Sequence, residues 1–494
     1  MLCKTNLWRI FCVYAKGYAS RSTSGKRGKM MKINYFNFKP WKNKWLITNE
    51  QGRYAIVPNE EFQNLIHGRY EQISEEFLEE LKRKYFIFDE NEDVFVERVK
   101  EPYREMKRYI FSATCLHIFV LTNQCNMCCV YCQAQDSAHT KKGKMTKEIA
   151  QKAVDIALQS PERRLDFEFQ GGEPLVNFDI IRFIVEYADK YCNDKEIHYS
   201  VVTNTLLLND EMIAYFKEHE ISVSTSLDGN ASVHNDNRPQ INGEETFDIV
   251  KKNVKRLQDA QVSVGAIQTT TKKSLRYGKD IVDTYCNMGL HSLFLRPLTP
   301  LGYAREQWGE IGYTPEEFIE FYKRTLGYII DKNKNGYYIQ EGHACIFLAK
   351  ILGGYAQNYM ELRSPCGAAV GQMAYYYDGN IYTCDEGRMI AEMGDSTFCL
   401  GNVQEDDYDS LIDGRTCRVT CQASVLEGLP SCCDCVYHPY CGVCPVINLA
   451  MENNIYERHA NNYRCKIYKG ILDTLFEFLE KDKDVIGIFR SWIE

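Results

Sequence analysis

Residues 116–132 read LHIFVLTNQCNMCCVYC, an apolar run that ends in a cysteine-rich loop. The run LHIFVLT has the length and composition of a buried strand. The loop behind it offers the thiols of Cys125, Cys129 and Cys132. A [4Fe–4S] cluster is usually held by four cysteines, so three of them leave one iron open to another ligand. Zinc would usually take a fourth ligand from the protein. The stretch therefore predicts an iron–sulfur loop at the end of a strand.

The same kind of apolar run recurs between residues 110 and 335 and alternates there with amphipathic stretches of helical length. The six runs are LHIFVLT, LDFEFQ, IHYSVVT, ISVSTSL, VSVGAIQTT and SLFLRP. Strands that alternate with helices indicate parallel pairing through right-handed crossovers. The pattern predicts an α/β fold, a partial (β/α)6 TIM-like barrel. Its chemistry is expected at the carboxyl ends of the strands.

Composition and charge exclude several classes of protein. The chain has 494 residues, 45% of them hydrophobic and 26% charged, which predicts two or three packed domains. Its net charge of −8 gives no electrostatic reason to expect nucleic acid or an anionic membrane as a partner. The 21 cysteines are clustered, whereas disulfide frameworks are typical of small secreted domains. Since no clear secretory signal is recognisable, we expect metal sites and a cytoplasmic location.

Four further segments flank or follow the barrel. Residues 1–31 are expected to be disordered or to reflect an over-long start, because LWRIFCVYA is too short to span a bilayer. Residues 32–98 predict a small α+β, winged-helix-like unit whose sheet edge could receive an extended peptide, with a structural cap as the alternative. Residues 340–465 are rich in cysteine and predict a domain that needs metal to fold. Residues 466–494 predict a closing helix.

The cysteine loop resembles the defining motif of radical S-adenosylmethionine (SAM) enzymes, C-x-x-x-C-x-x-C with an aromatic residue, here Tyr131, before the last cysteine. The resemblance implies that the open iron binds the amino and carboxylate groups of S-adenosylmethionine. Reductive cleavage of that cofactor would give a 5′-deoxyadenosyl radical. An electron donor such as flavodoxin or ferredoxin is the implied partner. Cys128 would not be a ligand, and we expect it to be a buried neighbour.

The ends of the next strands resemble the cofactor-binding elements of the same superfamily. The string QGGEP at residues 170–174 has glycines that let backbone approach a ligand and a carboxylate that can receive an amine. A plain strand-to-helix turn is the alternative. Thr205 stands where the common TNG form has glycine. The resemblance implies that the cofactor-binding residues are Gln170, Gly171, Gly172, Glu173, Asn204, Ser226 and Arg238.

A second group of cysteines resembles the SPASM extension, which binds two auxiliary [4Fe–4S] clusters in radical enzymes that act on peptides. The resemblance assigns an outer cluster to Cys432, Cys435, Cys441 and Cys465, and an inner cluster to Cys366, Cys384 and Cys444. The inner cluster then lacks one ligand. Cys345 could supply it, or one iron could stay open to substrate sulfur. The alternative for Cys432–Cys444 is a structural zinc ribbon, whose paired spacings would fit.

Asp385 is the candidate general base, because it directly follows Cys384 and because an aspartate there accepts a proton in similar sulfatase-maturing enzymes. A surface acid without a catalytic role is the alternative. The neighbouring acid Glu386 supports that alternative.

Several strings, among them EFQGGEPLVNF, STSLDG and FLRPLTPLGYA, are most similar to maturases of ribosomally made, modified peptides (RiPPs), in particular those of His-Xaa-Ser systems. The N-terminal unit also resembles their precursor-peptide recognition element. The expected function is that of an oxidoreductase that abstracts hydrogen from a precursor peptide and so leads to oxidative modification or cross-linking. The first alternative is a formylglycine-generating sulfatase maturase. The second is a non-catalytic, metal-stabilised peptide-binding scaffold.

Overall fold

The computed structural model of the chain describes residues 31–135, 137–138, 141–457 and 462–494. The prediction for residues 1–31 lies, except for Met31, outside the described residues. In the part of the chain that the model describes, no helix has both the length and the apolar composition that crossing a membrane requires.

The described residues form strands in three sheets. The strands are β1 (Lys32–Ile33), β2 (Asn37–Trp41), β3 (Lys44–Thr48), β4 (Tyr54–Pro58), β5 (Ile87–Phe88), β6 (Leu116–Val120), β7 (Arg164–Gln170), β8 (Glu196–Val202), β9 (Ser222–Ser226), β10 (Val264–Thr269), β11 (Ser292–Arg296), β12 (Gln340–Glu341), β13 (Gln372–Tyr376), β14 (Asn380–Tyr382) and β15 (Cys399–Asn402).

The α-helices surround these sheets. They are α1 (Asn59–Ile66), α2 (Glu75–Arg83), α3 (Glu92–Met106), α4 (Lys147–Ala157), α5 (Phe178–Tyr191), α6 (Asp210–Glu218), α7 (Ala231–Asn237), α8 (Phe247–Asp259), α9 (Gly278–Asn287), α10 (Gly302–Glu306), α11 (Trp308–Ile311), α12 (Pro315–Lys334), α13 (Gly342–Leu348), α14 (Asp385–Glu392), α15 (Tyr408–Asp413), α16 (Arg415–Gln422), α17 (Pro445–Glu452), α18 (Tyr463–Lys481) and α19 (Lys483–Ser491).

The six strands β6 to β11 lie side by side in chain order, and all of them pair in parallel. They correspond to the six apolar runs of the sequence, so the predicted α/β fold with a partial barrel is confirmed. Strand β12 adds to this sheet beside β11, and β13 adds beside β6, both in parallel. Because parallel strands end at one edge, the residues that follow β6 to β9 are brought together there.

The helices between these strands each bury one apolar stripe against the sheet. Helix α5 shows the pattern most clearly, since Ile180, Ile184 and Ala188 are buried and follow one another every fourth residue. The helices begin where a side chain caps them. Thr146 accepts a hydrogen bond from the amide of Ile149 at the start of α4, as expected of an N-cap threonine.

The N-terminal unit contains the strands and helices that its sequence predicts. Strands β2, β3 and β4 form an antiparallel sheet, and helix α1 packs on it through Phe62, which stacks on Trp45 with ring centroids 4.4 Å apart. The short pair of β1 with β5 and the helix α3, which leads to the barrel, were not predicted. Tertiary pairing decides strands as short as β1, so periodicity does not reveal them.

The cysteine-rich region is less separate from the barrel than the sequence indicates. Strand β13 pairs with β6, and the antiparallel strands β14 and β15 extend the barrel sheet further. The expected single closing helix is two helices, because Asp482 has an extended backbone and caps α19 by accepting from the amide of Asp484. Cys465 lies in the first turn of α18. The exact domain bounds stay predictions.

The N-terminal unit docks on the C-terminal helix α18 and on the cysteine-rich region. Glu480 of α18 accepts hydrogen bonds from Trp41 Nε1 at 3.0 Å, Lys42 Nζ at 2.9 Å and Lys44 Nζ at 3.0 Å. Although burial opposes it, these hydrogen bonds hold the pKa of Glu480 at about 2. A single carboxylate thus joins the first and last parts of the described chain.

Replacing this carboxylate by Glu480→Gln is expected to destabilise the docked state by about 1–3 kcal/mol, because charge-assisted hydrogen bonds weaken. The lowered pKa of Glu480 means that its contribution is present above its unfolded pKa of about 4.3 and is lost as the pH falls towards 2. Urea unfolding at pH 7 should show the loss, and the variant should differ less from wild type near pH 3. Glu405→Gln, at an exposed acid, serves as the control; an equal effect there would contradict the prediction.

Candidate functional site

The cysteine loop lies directly after β6, at the edge where the parallel strands end. Cys125 Sγ accepts a hydrogen bond from the amide of Met127 at 3.4 Å, and Cys129 Sγ lies 3.8 Å from Nη1 of Arg238. Burial is the main cause that raises the pKa of Cys125 and of Cys129 to about 12. Buried thiols of this kind become thiolates when a metal replaces the proton, so the loop fits an iron–sulfur cluster. The expectation that Cys128 is buried is wrong, since its side chain is exposed.

Asp228 ties this loop to three other elements of the barrel. Its carboxylate accepts hydrogen bonds from the hydroxyl of Tyr131 at 2.6 Å, from Nδ2 of Asn237 at 3.0 Å and from the amide of Thr269 at 3.2 Å. Its side chain is fully buried, and Nε of Arg238 lies 3.4 Å away as its cationic partner. Sequence reasoning assigned Asp228 no role. The sequence feature that could have indicated a role for Asp228 is its position in STSLDG, directly after a strand.

The glycines after β7 allow a close approach of two backbone segments. A Cβ atom on Gly171 would lie 2.5 Å from the carbonyl oxygen of Thr122, and one on Gly172 would lie 2.4 Å from that of Gln124. Both positions therefore exclude any larger residue. The segment that they contact leads straight into the cysteine loop, so the glycines set the position of the loop. Their approach to a cofactor stays a prediction.

Glu173 is buried and is hydrogen-bonded to other groups of the protein. It accepts hydrogen bonds from the hydroxyl of Thr203 at 2.7 Å, the amide of Asn204 at 2.9 Å and the amide of Leu175 at 3.0 Å. Burial raises its pKa to about 7. Glu173 thus fixes the end of β8, and its contact with a cofactor amine stays a prediction.

The other candidate cofactor ligands lie at neighbouring strand ends. Gln170 ends β7 and donates its amide to Glu168, and Ser226 ends β9. Asn204 follows β8 and donates from Nδ2 to the side chain of Asn126 within the cysteine loop, at 2.7 Å. Arg238 lies over the Tyr131 ring, 5.2 Å from its centroid. The structure brings these residues to the edge that carries the loop.

Thr205 has a left-handed backbone with φ of 64°, which a β-branched residue rarely adopts and which explains the glycine of the common form. Its hydroxyl is also buried and has no hydrogen-bond partner among the described residues. We expect Thr205→Gly to stabilise the fold by about 1 kcal/mol, because strain and an unsatisfied hydroxyl are both removed. Thermal unfolding would measure the gain. Thr205→Ala keeps the strain and should gain less; a larger gain for alanine would contradict the argument.

The four cysteines of the predicted outer cluster lie close to one another. Burial and then Cys465, Cys435 and Cys432 raise the pKa of Cys441 well above its ordinary value. Among the described residues no three of these thiols come within 4.8 Å of one another. The assignment of these four cysteines to an outer cluster stays a prediction.

The three cysteines of the predicted inner cluster share one apolar cluster of side chains. Burial raises the pKa of Cys366 to about 12, and burial with the neighbouring charges raises those of Cys384 and Cys444 further. Cys345 belongs to a different core, and the carboxylate beside it is that of Glu341. The structure therefore does not bring Cys345 to the inner cysteines.

Asp385 and Glu386 differ in their partners although they are adjacent in α14. Oδ1 of Asp385 accepts from Nε of Arg388 at 3.1 Å and from its Nη2 at 2.5 Å. The carboxylate of Glu386 accepts a hydrogen bond from its own backbone amide, and it forms no ion pair within 4.0 Å with a described residue. Burial first, and then the charges of Asp385 and Glu361, raise the pKa of Glu386. The role of Asp385 as general base stays a prediction.

Helix α14 connects the inner cysteines to the first loop. Cys384 caps its amino end, and Glu392 at its carboxyl end accepts from Nδ2 of Asn123 at 3.2 Å. Asn123 stands two residues before Cys125. A helix of eight residues is about 12 Å long, so α14 spans this length from Cys384 to its contact with the residues just before the cysteine loop.

Known proteins share this domain and this fold. Residues 119–272 match the family model of the radical SAM superfamily. The chain is 24% identical to a cysteine-type anaerobic sulfatase-maturating enzyme of Clostridium novyi, over 65% of this chain and 84% of that protein. The structure of native anSMEcpe with bound AdoMet aligns with a TM-score of 0.65 at 21% identity, over 76% of this chain and 99% of that one. The structure of Streptococcus suis SuiB bound to precursor peptide SuiA aligns with a TM-score of 0.51 at 15% identity, over 86% of this chain and 98% of that one.

Residues 119–272 therefore form a radical SAM domain, and the chain is an enzyme. Iron–sulfur clusters and S-adenosylmethionine are its cofactors, and its homologues include maturases that modify other proteins. The family model ends near residue 272, so it does not reach the cysteines beyond residue 345.

Proposed function

We propose that the chain is a radical SAM maturase of a ribosomally made precursor peptide, and that it contains three [4Fe–4S] clusters. The observation that carries this proposal is the 12 Å helix between the cysteine loop and the inner cysteines. A substrate residue beside this helix can lie near both sets of thiols. An oxidative modification would use the clusters at both sets of thiols. The cluster at the cysteine loop would serve hydrogen abstraction, and the inner cluster would remove the remaining electron.

The residues of the loop and the strand ends have defined tasks in this proposal. Cys125, Cys129 and Cys132 hold the first cluster, and Arg238 holds the carboxylate of S-adenosylmethionine. When bound, this pair supplies a 5′-deoxyadenosyl radical that removes a hydrogen atom from an unreactive carbon. Asp228 and Glu173 keep the loop and the end of β8 in place. Rigid positioning matters, because small displacements of reacting groups lower the rate strongly.

Buried charged residues lie around the region between the two sets of thiols. Glu168 on β7 interacts electrostatically with Asp385 of α14, and Arg296 at the end of β11 interacts with Glu361 and Glu386. Such groups keep one orientation only when they are matched by opposite charges or by substrate. They would orient the peptide segment and exclude water from it.

The N-terminal unit supports a peptide substrate. It adds a three-stranded sheet that docks on α18, and an exposed sheet edge can bind an extended chain through backbone hydrogen bonds. SuiB, whose structure contains precursor peptide SuiA, covers more of this chain than anSMEcpe does, 86% against 76%. The leader of the peptide would bind residues 32–98 while its core reaches the barrel.

A sulfatase maturase that generates formylglycine is the second candidate. The relative from Clostridium novyi favours it, and so does an aspartate directly after Cys384. Mass spectrometry separates the two candidates, because oxidation of cysteine or serine to formylglycine changes the mass of one residue. A cross-link also removes hydrogen, as the oxidation of serine does, but it joins two residues, so fragment ions distinguish it from a change confined to one residue.

The test is anaerobic reconstitution with iron and sulfide, followed by assay of 5′-deoxyadenosine after addition of S-adenosylmethionine and dithionite. We expect about twelve irons per chain and formation of 5′-deoxyadenosine. Small peptides encoded beside the gene, and a sulfatase-derived peptide, are then offered as substrates. Modification of the first alone supports the proposal, and modification of the second alone supports the sulfatase maturase. Zinc in place of iron, with no 5′-deoxyadenosine, would support a non-catalytic scaffold.

A further inference from the structure

We propose that the buried ammonium of Lys350 positions the outer auxiliary cluster and compensates its negative charge. This inference rests on the proposed function, because it assumes that the four cysteines of the predicted outer cluster hold a [4Fe–4S] cluster. Lys350 lies in the π-helical turn Ala349–Gly353, which directly follows α13. Turns of this kind are rare and often occur at functional sites.

The side chain of Lys350 joins two segments that are far apart in the sequence. Its Nζ atom donates hydrogen bonds to the carbonyl oxygen of Leu362 and, at 2.9 Å, to that of Tyr440. Leu362 stands four residues before Cys366 of the inner set. Tyr440 directly precedes Cys441 of the outer set. One ammonium thus connects the chain segments that lead into the two sets of thiols.

The same two segments pack closely beside this ammonium. A Cβ atom on Gly442 would lie 2.7 Å from Cα of Leu362, so only glycine fits there. Gly442 directly follows Cys441, whose thiol donates to the carbonyl oxygen of Gly442 at 3.4 Å. The ammonium therefore holds Cys441 from both sides, through the residue before it and through the segment that packs against the residue after it.

No ion pair balances the ammonium of Lys350 within the described part of the chain. The side chain is fully buried, and its hydrogen-bond acceptors are the two carbonyl groups. Burial lowers its pKa to about 7, although the thiolate of Cys441 raises it. The like charges of Lys107 and Arg363 lower it further. A buried cation in such a place costs free energy unless an anion lies near it.

The outer cluster would supply that anion. A [4Fe–4S] cluster held by four thiolates is negatively charged, and Cys441 is one of the four proposed ligands. A nearby cation stabilises the reduced form of a cluster more than the oxidised form, since reduction adds a negative charge. The charge of Lys350 is therefore expected to raise the reduction potential of the outer cluster.

Three other cations near the outer cysteines are screened by water or paired. Lys466 and Lys469 follow the cysteine of α18, and water reaches both. Arg464 is buried, but its Nη2 lies 3.9 Å from the carboxylate of Glu361. Water and opposite charges weaken the field of such groups. Lys350 differs from them, because it is both buried and without a carboxylate partner among the described residues.

The test uses the full chain with Cys125, Cys129 and Cys132 all changed to alanine, so that about eight irons of the two auxiliary clusters remain. In this background, Lys350→Gln removes the charge but keeps a side chain that donates hydrogen bonds. A redox titration followed by EPR should show one of the two midpoint potentials shifted to more negative values. We expect a shift of at least about 59 mV, which is a tenfold change in the ratio of reduced to oxidised cluster. The other midpoint potential should stay near that of the parent.

Lys350→Met removes the hydrogen-bond donors together with the charge, and so tests the positioning of Cys441. We expect it to retain about four irons in place of about eight, because the outer cluster is lost first. Lys466→Met is the matched control, since it removes the charge of an exposed lysine directly beside Cys465. It should keep about eight irons and both midpoint potentials of the parent.

Unchanged potentials in Lys350→Gln would overturn the proposal, and so would an equal shift in Lys466→Met, which would show that any nearby charge suffices. Loss of the fold in both variants of Lys350 would overturn it as well, because the lysine would then be a purely structural bridge. Failure of the proposed function looks different. In that case the parent protein, with Lys350 intact, would retain no iron after reconstitution and would contain zinc.

Discussion

Replacement of Cys125, Cys129 and Cys132 by alanine should reduce 5′-deoxyadenosine formation to the background of the assay, while the rest of the chain keeps its fold. The reason is that these thiols occupy one loop directly after β6, whereas the cysteines assigned to the auxiliary clusters lie between residues 366 and 465. Iron content should fall by about four per chain, from about twelve to about eight. Chromatographic assay of 5′-deoxyadenosine together with iron analysis checks both parts. Circular dichroism should remain that of wild type.

Cys128→Ala is the matched control for this triple replacement, because its thiol lies in the same loop but is exposed. It should keep iron content and 5′-deoxyadenosine formation. If Cys128→Ala were as inactive as the triple variant, the assignment of the three ligands would be wrong. Residual activity of the triple variant would also contradict it. A fall of all twelve irons would instead show that the clusters assemble cooperatively.

The barrel could be predicted from the sequence because most of its strands bury every second residue. Runs such as LDFEFQ, in which apolar residues alternate with polar ones, can then be recognised, and each is followed by an amphipathic stretch. Strands β12 to β15 have two to five residues each, and the pairing of β12 with β11, of β13 with β6 and of β14 with β13 and β15 depends on contacts across the sheet. No local sequence pattern encodes such pairing. The sequence therefore predicted a cysteine-rich region that is more separate from the barrel than the structure shows.

The residues of the candidate site could be predicted where the spacing of residues within a motif identifies them. The three sets of cysteines, QGGEP and Arg238 follow from motifs and from the rule that parallel strands end at one edge. The hydrogen bonds of Asp228 and Glu173 depend on packing between elements far apart in sequence. The ion pair of Asp385 with Arg388 lies within one helix, at a spacing of three residues, and a prediction of α14 would have revealed it.

Arg238→Lys should weaken the binding of S-adenosylmethionine about 10- to 100-fold. The guanidinium lies over the Tyr131 ring and within 3.8 Å of Cys129 Sγ, so it stands beside the proposed cluster. Asp228, at 3.4 Å from Nε, holds it in one orientation. Lysine keeps the charge but loses the planar fork that binds a carboxylate through two parallel hydrogen bonds. A loss of 1.4 kcal/mol corresponds to about tenfold in affinity.

Isothermal titration of the reconstituted, oxidised enzyme with S-adenosylmethionine measures this loss directly, and iron analysis shows whether the loop still holds its cluster. Arg256→Lys is the matched control, because Arg256 binds Asp210 and Asn253 of the protein itself. It should leave the affinity unchanged. If Arg238→Lys kept iron and full affinity, Arg238 would not bind the cofactor carboxylate. If it lost iron first, its main contribution would be to the position of Cys129, since a guanidinium beside a buried thiolate stabilises the ionised sulfur.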